Sequence, residues 1–511
     1  MQVTESRTKK SLRNSAVALG FCLVNLLLQF YSRKIFLEYL GAEVLGLNTT
    51  ATNLLQFLNL AELGIGAAVS FTLYRPLLLQ DTDQVNEIIS LQGFLYRRIA
   101  CFLVIGSIVL MGLFPWIFED MALPLWYAYA SFSVLLVSSL LGYFVNYKQI
   151  LLTADQKDYK VQYSQQAAKL LKIGCQIAAM LLFDHAYIWW LVLELIFACV
   201  GSVAVELVTR RTYPYLKPVL RDGKQLQKKY PEIGRKIKQV FFHKIGSFAL
   251  TQTSPIIIYA YTSLTVVAKY GNYMLIIVGV TSLMNAIFNS ITASVGNLVA
   301  EGDKEHSLAV FEELFSLRFI VLTTICYGVY QLTADFVSLW IGPEYVMDNT
   351  ILLILLLSLY ISLSRSTVDA FIAAYGLYGD IWAPIVEAVI NVSLSVLLGY
   401  FWGLHGVLLG VLISQVLVIF CWKPYWLFRN GFKTPLRVYI KMYGKHLFMF
   451  AFVWWVASRI YVMCKLPLLG VSDFVVNSVL SIGVFFCGMS LIILAQNPRV
   501  WTRVKTILSR R

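Results

Sequence analysis

Charged residues are scarce in this sequence. Asp, Glu, Lys and Arg make up 14% of the 511 residues, hydrophobic residues make up 58%, and the mean hydropathy is +0.69. A soluble chain of this length could not bury so much apolar surface in one core. The apolar runs are about 20 residues long, which suits helices that cross a hydrocarbon layer of about 30 Å rather than the short alternating strands of a membrane barrel. The sequence therefore predicts an all-α polytopic membrane protein.

Catalytic and metal-binding motifs are also missing. The eight cysteines are scattered without a CxxC pair, and the five histidines form no HExxH motif. The sequence has no nucleophile elbow, no phosphate-binding Gly-Lys loop and no loop long enough for a catalytic domain. We therefore expect no enzymatic activity, no ATP hydrolysis, no metal and no cofactor in this chain.

The apolar runs predict about fourteen transmembrane spans. The first run is too long for a signal peptide and has no cleavage site after it, so it is counted as span one. The spans lie at 15–39, 45–73, 94–116, 123–150, 161–183, 186–208, 242–264, 270–296, 308–332, 350–375, 382–402, 404–427, 446–464 and 474–495.

Basic residues are concentrated at one side of these spans. Most of the 42 Lys and Arg residues fall in alternate loops and at the two termini, whereas outer loops such as "FEDMALP" and "FDHAY" contain none. Because short cytoplasmic loops carry the excess of Lys and Arg, both termini are predicted to be cytoplasmic. The net charge of +14 is thus explained by topology, and nucleic-acid binding is not expected.

An internal repeat predicts the domain organisation. Matching residues recur at nearly equal separations, namely Gly46 and Gly271, Trp116 and Trp340, and Asp158 and Asp380. The predicted organisation is a six-helix bundle (1–208), a basic cytoplasmic linker loop (209–241), a second six-helix bundle (242–430), and two further helices with a basic tail (431–511). The linker is expected either to contact anionic lipid headgroups or to act only as a topology signal.

Several basic residues nevertheless lie within the predicted spans. A Lys or Arg at the membrane centre costs about 2.5–3.5 kcal/mol, so such residues are expected to face a polar interior. Lys169 and Lys172 share one face of span five because they are three residues apart. The candidate residues for binding an anionic substrate are Arg33, Lys169, Lys172, Arg318 and Arg365.

Fewer acidic residues lie in the spans to balance these bases. Asp369 follows Arg365 by four residues, which allows an ion pair within one helix, and Glu194 can pair with a lysine of span five. After these pairings Arg33 and at least one other candidate base keep no obvious counter-ion. A net-positive interior indicates an anionic ligand, and phosphate is the best match for Arg.

Amide and hydroxyl side chains are dense in span two and recur in spans five, seven and eight. They either join neighbouring helices or bind sugar hydroxyls. The candidate residues for sugar contacts or for ion coupling are Asn48, Asn53, Gln56, Glu62 and Asp369.

The chain resembles the MOP exporter superfamily, and within it the polysaccharide-transport branch of Wzx-type flippases. The resemblance covers nearly the whole chain and rests on loose Gly and aromatic motifs in a specific order. The motifs are "RKIFLEYLGAEVLGL" from Arg33, "AELGIGAA" in span two, "AKYGNYMLI" at 268, "ITASVGNLVAEGDKE" at 291, "LWIGPEY" at 339, "AAYGLYGDIWAPIVEAVIN" at 373 and "GLHGVLLGVLIS" at 403. Of the candidate bases, only Arg33 lies inside a matched motif.

The resemblance implies two MATE-like six-helix bundles, two C-terminal helices and alternating access without ATP hydrolysis. The implied activity is flipping of undecaprenyl-diphosphate-linked oligosaccharide units across the bacterial cytoplasmic membrane for O-antigen, capsule or exopolysaccharide synthesis. Coupling to an H⁺ or Na⁺ gradient is expected, and a glycan polymerase and a chain-length regulator are candidate partners beside the membrane lipids.

Three alternatives remain at this point. An ion-coupled multidrug exporter of the same superfamily would typically use buried carboxylates, whereas here buried bases outnumber buried acids. A lipid II flippase handles chemically closer cargo and is not excluded. A membrane glycan polymerase or ligase is less favoured, because such enzymes usually need a large outer loop with basic residues.

Overall fold

The structure, a computed structural model, describes residues 7–62, 64–219, 223–300, 302–377, 379–380, 382–468 and 470–496. Within these residues every regular element is a helix. Eight of the described helical segments are long and apolar enough to cross a membrane. The predicted all-α polytopic class is confirmed.

The chain divides into two compact units, Met1–Asn272 and Tyr273–Arg511. The boundary falls within one long helix, α11 (Leu264–Ala300). The other helices of the first unit are α1 (Arg7–Leu58), α2 (Ile65–Leu79), α3 (Thr82–Gly112), α4 (Phe114–Ile117), α5 (Trp126–Phe144), α6 (Ile150–Ala154), α7 (Asp158–Leu182), α8 (Ala186–Thr212), α9 (Gly223–Lys229) and α10 (Pro231–Tyr261).

The described part of the second unit contains the remaining six α-helices. They are α12 (Lys304–Ile341), α13 (Asn349–Ala374), α14 (Trp382–Gln415), α15 (Lys423–Leu427), α16 (Arg437–Cys464) and α17 (Val471–Gln496). Two π-helices, Val416–Trp422 and Phe428–Phe432, flank α15.

Neighbouring spans are joined into helices longer than the predicted ones. Helix α1 has 52 residues and holds span one and part of span two, with a kink at Gly41 (φ 79°, ψ 171°). Helix α14 joins spans eleven and twelve through a kink at Gly403 (φ 53°, ψ −130°). Glycine adopts these positive φ angles without a steric penalty. The sequence breaks therefore mark bends in continuous helices.

Span two is interrupted between α1 and α2. Helix α1 ends at Leu58, a 3₁₀ turn covers Asn59–Glu62, and α2 starts after Gly64. Gly64 has φ 98°, and a Cβ atom there would lie 2.9 Å from the carbonyl oxygen of Ile237 on α10. Both the backbone angle and the close approach of α10 therefore require glycine.

Each unit has its own aromatic and aliphatic core. Fully buried side chains include Leu47, Leu73, Ile88, Phe114 and Phe132 in the first unit and Phe311, Tyr327, Phe371, Phe428 and Phe432 in the second. Large apolar side chains such as Leu27, Ile105 and Phe448 are exposed instead. An extensive exposed apolar surface is what contact with lipid requires.

The basic segment 209–241 lies within the first unit. It contains α9 and the start of α10, and it is attached to α3 through the Glu87 carboxylate. Lys229 Nζ forms an ion pair with Glu87 at 2.7 Å, and the Tyr230 hydroxyl donates to the same carboxylate at 2.5 Å. The segment is therefore partly helical and packed onto the unit.

Candidate functional site

Arg33 lies on α1, eight residues before the kink at Gly41. Its side chain is half-buried, and its Nη1 atom is buried without a hydrogen-bond partner among the described residues. Gly271 leaves space beside it, since a Cβ atom there would lie 4.0 Å from Nη1 and 3.9 Å from the Thr49 hydroxyl oxygen. A buried guanidinium nitrogen without an acceptor is costly in an apolar layer. Arg33 is thus placed to receive an anion.

The two lysines of span five occupy different environments on the same face of α7. Both line a cavity of about 250 Å³ between α7 and α8. Lys172 Nζ forms an ion pair with Glu194 Oε1 at 2.6 Å, and Gln176 Nε2 donates to Glu194 Oε2 at 3.1 Å. The expected pairing of Glu194 with a lysine of this span is confirmed, with Lys172 as the partner. Lys169 is exposed at the cavity wall.

Glu62 ends the 3₁₀ turn that interrupts span two, and two tyrosines hold its carboxylate. The Tyr96 hydroxyl of α3 donates to Oε1 at 2.9 Å, and the Tyr143 hydroxyl of α5 donates to Oε2 at 2.7 Å. Glu62 lines a polar cavity of about 460 Å³ together with Gln56. We call this space the tyrosine cavity and the space beside Lys169 the lysine cavity.

The two asparagines named as candidate sugar contacts make bonds within the protein. Asn48 is buried and its Oδ1 accepts from the Ser131 hydroxyl, which connects α1 to α5. Asn53 Nδ2 donates to the Thr49 carbonyl oxygen of its own helix at 2.7 Å. The first bond joins two helices and the second lies within α1, while Asn48 Nδ2 is buried without a hydrogen-bond partner among the described residues.

The candidate residues of the second unit form two polar contacts. Arg365 Nε and Asp369 Oδ2 form an ion pair at 2.5 Å within α13, as the four-residue spacing predicts. Arg318 Nη1 donates to the Thr367 hydroxyl at 3.1 Å and so connects α12 to α13. Both arginines therefore have partners in this unit.

The second unit also contains an open apolar cavity of about 500 Å³. Its walls come from α12, α13 and α16 and include Phe319, Tyr330, Leu356, Tyr360, Phe450 and Trp454. Aliphatic and aromatic side chains dominate this lining, so its chemistry suits a hydrocarbon chain rather than a charged group.

Sequence reasoning missed five polar residues that the fold brings to Glu62. They are Gln92, Tyr96, Tyr143, Asn146 and Gln149. A signal was available, because Gln92 and Tyr96 flank the start of span three and the other three residues lie near the end of span four. The predicted topology puts those two span ends on the same membrane side as the end of span two.

Metal ligation finds no support in the parts of the chain that the structure describes. No group of three or more His, Cys, Asp or Glu side chains in these parts is placed to hold a metal ion.

No protein-family model matches the sequence, and no curated protein is detectably similar to it. Several solved structures are similar in fold, among them a flippase and a multidrug transporter. The lipid II flippase MurJ in an inward closed conformation superposes with a TM-score of 0.65 at 12% identity, covering 93% of this chain and 98% of MurJ. An inward-facing multidrug resistance MATE family transporter of the MOP superfamily superposes with a TM-score of 0.55 at 15% identity, covering 82% of this chain and 98% of the transporter. The predicted MATE-like fold is thereby confirmed, and the chain has the architecture that these two transporters share.

Proposed function

We propose that the protein flips undecaprenyl-diphosphate-linked oligosaccharides across the bacterial cytoplasmic membrane for synthesis of a surface polysaccharide. The observation that carries the proposal is the buried Nη1 atom of Arg33, which has no partner among the described residues. A guanidinium group held in this state within a membrane span matches a phosphate oxygen, because charge-assisted bonds to phosphate compensate its desolvation.

The remaining cavities support each chemical part of such a substrate. Lys169 at the wall of the lysine cavity offers a second positive charge at membrane depth. The apolar cavity of the second unit suits part of an isoprenoid chain. We assign substrate contact to Arg33 and Lys169, and we assign structural pairing to Lys172 and Arg365, with Arg318 kept as a further candidate for the diphosphate.

The topology and the energy source belong to the same proposal. Both termini are cytoplasmic, because the basic loops then lie inside. An H⁺ or Na⁺ gradient drives alternating access. A glycan polymerase and a chain-length regulator receive the product on the outer side.

Lipid II is the second candidate substrate. The fold likeness to MurJ, which its name describes as a lipid II flippase, favours it. Lipid II also joins a diphosphate to an isoprenoid chain and sugars, so Arg33 would serve it equally well. The two candidates differ in consequence, since blocked transport of lipid II would stop cell-wall growth and blocked transport of a surface glycan would not.

Gene deletion tests the proposed function directly. We expect viable cells that lose the surface polysaccharide and accumulate its lipid-linked oligosaccharide at the cytoplasmic face. Cell lysis with accumulated lipid II would instead establish the second candidate. Normal polysaccharide and no accumulated lipid-linked sugar would contradict both.

Complementation with variants tests the role of Arg33. Arg33→Met is expected to abolish the polysaccharide while the amount and thermal stability of the protein do not fall, because Nη1 has no hydrogen-bond partner to lose among the described residues. The matched control is Lys34→Met at the adjacent exposed position, which is expected to complement fully. Full complementation by Arg33→Met would refute the anion-binding role.

A further inference from the structure

The tyrosine cavity lies at the interruption of span two. The 3₁₀ turn Asn59–Glu62 and Gly64 replace regular helix there, and Asn59, Glu62 and Gly64 all line the cavity. Irregular backbone at membrane depth is tolerated where it is buried in protein or borders a polar cavity. In transporters such discontinuous helices commonly form binding sites. The break therefore calls for a ligand as well as a packing explanation.

The lining of this cavity excludes a strongly charged ligand. Among the described residues that line it there is one carboxylate, Glu62, and no Lys, Arg or His side chain. An anion would be repelled by Glu62, and a cation would compete with two tyrosine hydroxyls that already donate to both carboxylate oxygens. The other polar groups are neutral, chiefly the amides of Gln56, Asn59, Gln92, Asn146 and Gln149.

Gln92 supplies an independent sign of a missing ligand. Its side chain is 1% exposed and lines the cavity, yet its Oε1 atom has no hydrogen-bond partner among the described residues. A buried amide oxygen without a donor destabilises the folded protein, and a ligand that donates a hydrogen bond to it would remove this cost. A hydroxyl group of a bound molecule would satisfy this atom.

The tyrosine cavity adjoins the lysine cavity within the first unit. Asn146 lines both cavities. Gln149 of the tyrosine cavity accepts a hydrogen bond from Gln165 Nε2 of the lysine cavity at 3.0 Å. A ligand that joins a phosphate to a neutral polar ring could therefore occupy both cavities at once.

We infer that the tyrosine cavity binds a neutral sugar ring, namely the sugar next to the diphosphate when the diphosphate is held beside Lys169. Amides, a carboxylate and tyrosine faces together supply donors, acceptors and stacking surfaces for a pyranose. The volume of about 460 Å³ lies within the range of roughly 300–1,000 Å³ of small-molecule sites. The inference rests on the proposed function for the lipid-linked source of the sugar, whereas sugar binding itself does not require transport.

The first experiment measures binding of free sugars to the purified full-length protein in lipid nanodiscs. Glucose, galactose, rhamnose and N-acetylglucosamine are the probes, and saturation-transfer NMR reports contact with their ring protons. We expect contact with at least one of them, and we expect Gln92→Leu to weaken it about tenfold through the lost hydrogen bonds. Gln331→Leu is the matched control, because this half-buried glutamine of α12 lies outside the cavity.

Thermal unfolding separates ligand binding from a structural role. Gln92→Leu removes a contact with the Tyr96 hydroxyl, just as Gln331→Leu removes the bond from Gln331 Nε2 to the Ser458 hydroxyl. Because Gln92 Oε1 has no hydrogen-bond partner among the described residues, Gln92→Leu is expected to leave the unliganded protein at least as stable as Gln331→Leu does. A strongly destabilised Gln92→Leu variant would mark the residue as structural and overturn the inference. It would also be overturned if none of the four sugars binds, or if binding persists in Gln92→Leu.

The second experiment identifies the source of the sugar. Undecaprenyl diphosphate is compared with the same lipid carrying the sugar that bound, again in nanodiscs. We expect the sugar to tighten binding about tenfold in the wild type and not in Gln92→Leu, while both proteins bind the bare lipid equally. Equal affinity for both lipids in the wild type would refute the lipid-linked placement.

The two proposals can fail separately. Sugar binding with no accumulated lipid-linked oligosaccharide after gene deletion would leave the cavity assignment standing and remove the flippase proposal. Accumulation of the lipid-linked oligosaccharide after deletion, together with full complementation by Gln92→Leu, would leave the flippase proposal standing and remove the cavity assignment. A response of the protein to Na⁺ that Gln92→Leu abolishes, with no sugar contact, would assign the cavity to a cation instead.

Discussion

Lys169 and Lys172 should respond in opposite ways to the same substitution. Lys172→Met removes the ion-pair partner of Glu194, whose carboxylate then still accepts the hydrogen bond from Gln176 Nε2. Lys169→Met removes a charge at the cavity wall and leaves this pair intact. We therefore expect Lys172→Met to lower stability, and Lys169→Met to lower transport while stability is preserved.

The size of the stability change follows from the burial of the pair. The side chains of Lys172 and Glu194 are 21% and 16% exposed, so both are largely but not fully desolvated. Removing one partner of a buried ion pair costs about 3–5 kcal/mol, and residual exposure brings the expected loss to about 2–3 kcal/mol. Substitution of an exposed residue typically changes stability by less than about 0.5 kcal/mol, which is the expectation for Lys169→Met.

A double variant tests whether the pair itself is responsible. Lys172→Met combined with Glu194→Gln removes both charges and keeps an amide that can bond Gln176. Gln176 Nε2 also donates to the Trp190 carbonyl oxygen at 3.2 Å, so its own amide stays bonded. Replacing both charges of a buried pair is often close to neutral, so we expect the double variant to lie within about 1 kcal/mol of the wild type.

Two measurements on the same set of variants decide the question. The free energy of unfolding is measured in mixed detergent and SDS micelles, and transport is measured as surface polysaccharide in the deletion strain. Equal destabilisation by Lys169→Met and Lys172→Met would refute the division of roles. So would a double variant that is no more stable than Lys172→Met alone.

Three further substitutions test the geometry of the cavities and pairs. Gly64→Ala is expected to lose about 1–3 kcal/mol of unfolding free energy, because φ is 98° and the new Cβ would press on the Ile237 carbonyl. The control Gly174→Ala meets no atom within 4 Å and should not be destabilised. Equal unfolding free energies for the two variants would refute the requirement for glycine. Tyr96→Phe removes the hydrogen bond to Glu62 and is expected to lower the free energy of unfolding by about 1.5–3 kcal/mol. Tyr74→Phe, at an exposed position, should match the wild type. Unchanged stability of Tyr96→Phe would contradict the role of that bond. Arg365→Met should reduce surface polysaccharide through loss of folded protein, because it leaves Asp369 without its partner in α13. Adding Asp369→Asn removes both charges and should restore the polysaccharide. Failure of the double variant to restore it would instead place Arg365 in substrate binding.

The helical architecture could be predicted because each span leaves a local signal. A run of about 20 apolar residues is enough to identify a membrane-crossing helix, and glycine marks where such a run bends. What the runs do not specify is whether a bend also ends the helix. Gly41 and Gly403 bend helices that continue, whereas the break before Gly64 ends α1 and starts α2. That difference depends on the approach of α10 to Gly64, a contact distant in sequence.

The sequence predicts which charged residues the candidate site contains, but it does not always predict which of them form ion pairs with each other. Helical spacing correctly indicates that Lys169 and Lys172 share a face, and for that reason it cannot show which of them pairs with Glu194. The partner is determined by how α7 and α8 are aligned along their hairpin. Arg365 and Asp369 show the opposite case, because both partners lie in one helix and the spacing alone predicts the pair.

The tyrosine cavity shows that the polar residues of span two have to be interpreted together with their neighbours in the fold, and not as isolated charges. Glu62 by itself suggests an ion-coupling carboxylate, yet the fold gives it two hydroxyl donors from α3 and α5 and surrounds it with amides. A carboxylate whose two oxygens already accept hydrogen bonds is held as an oriented acceptor in a neutral polar wall. Because those partners come from spans three and four, only their packing turns one acidic residue into part of a sugar-sized site. A flippase that must recognise a diphosphate and an attached sugar needs a cationic and a neutral polar wall side by side, and Asn146 lies where these two walls meet.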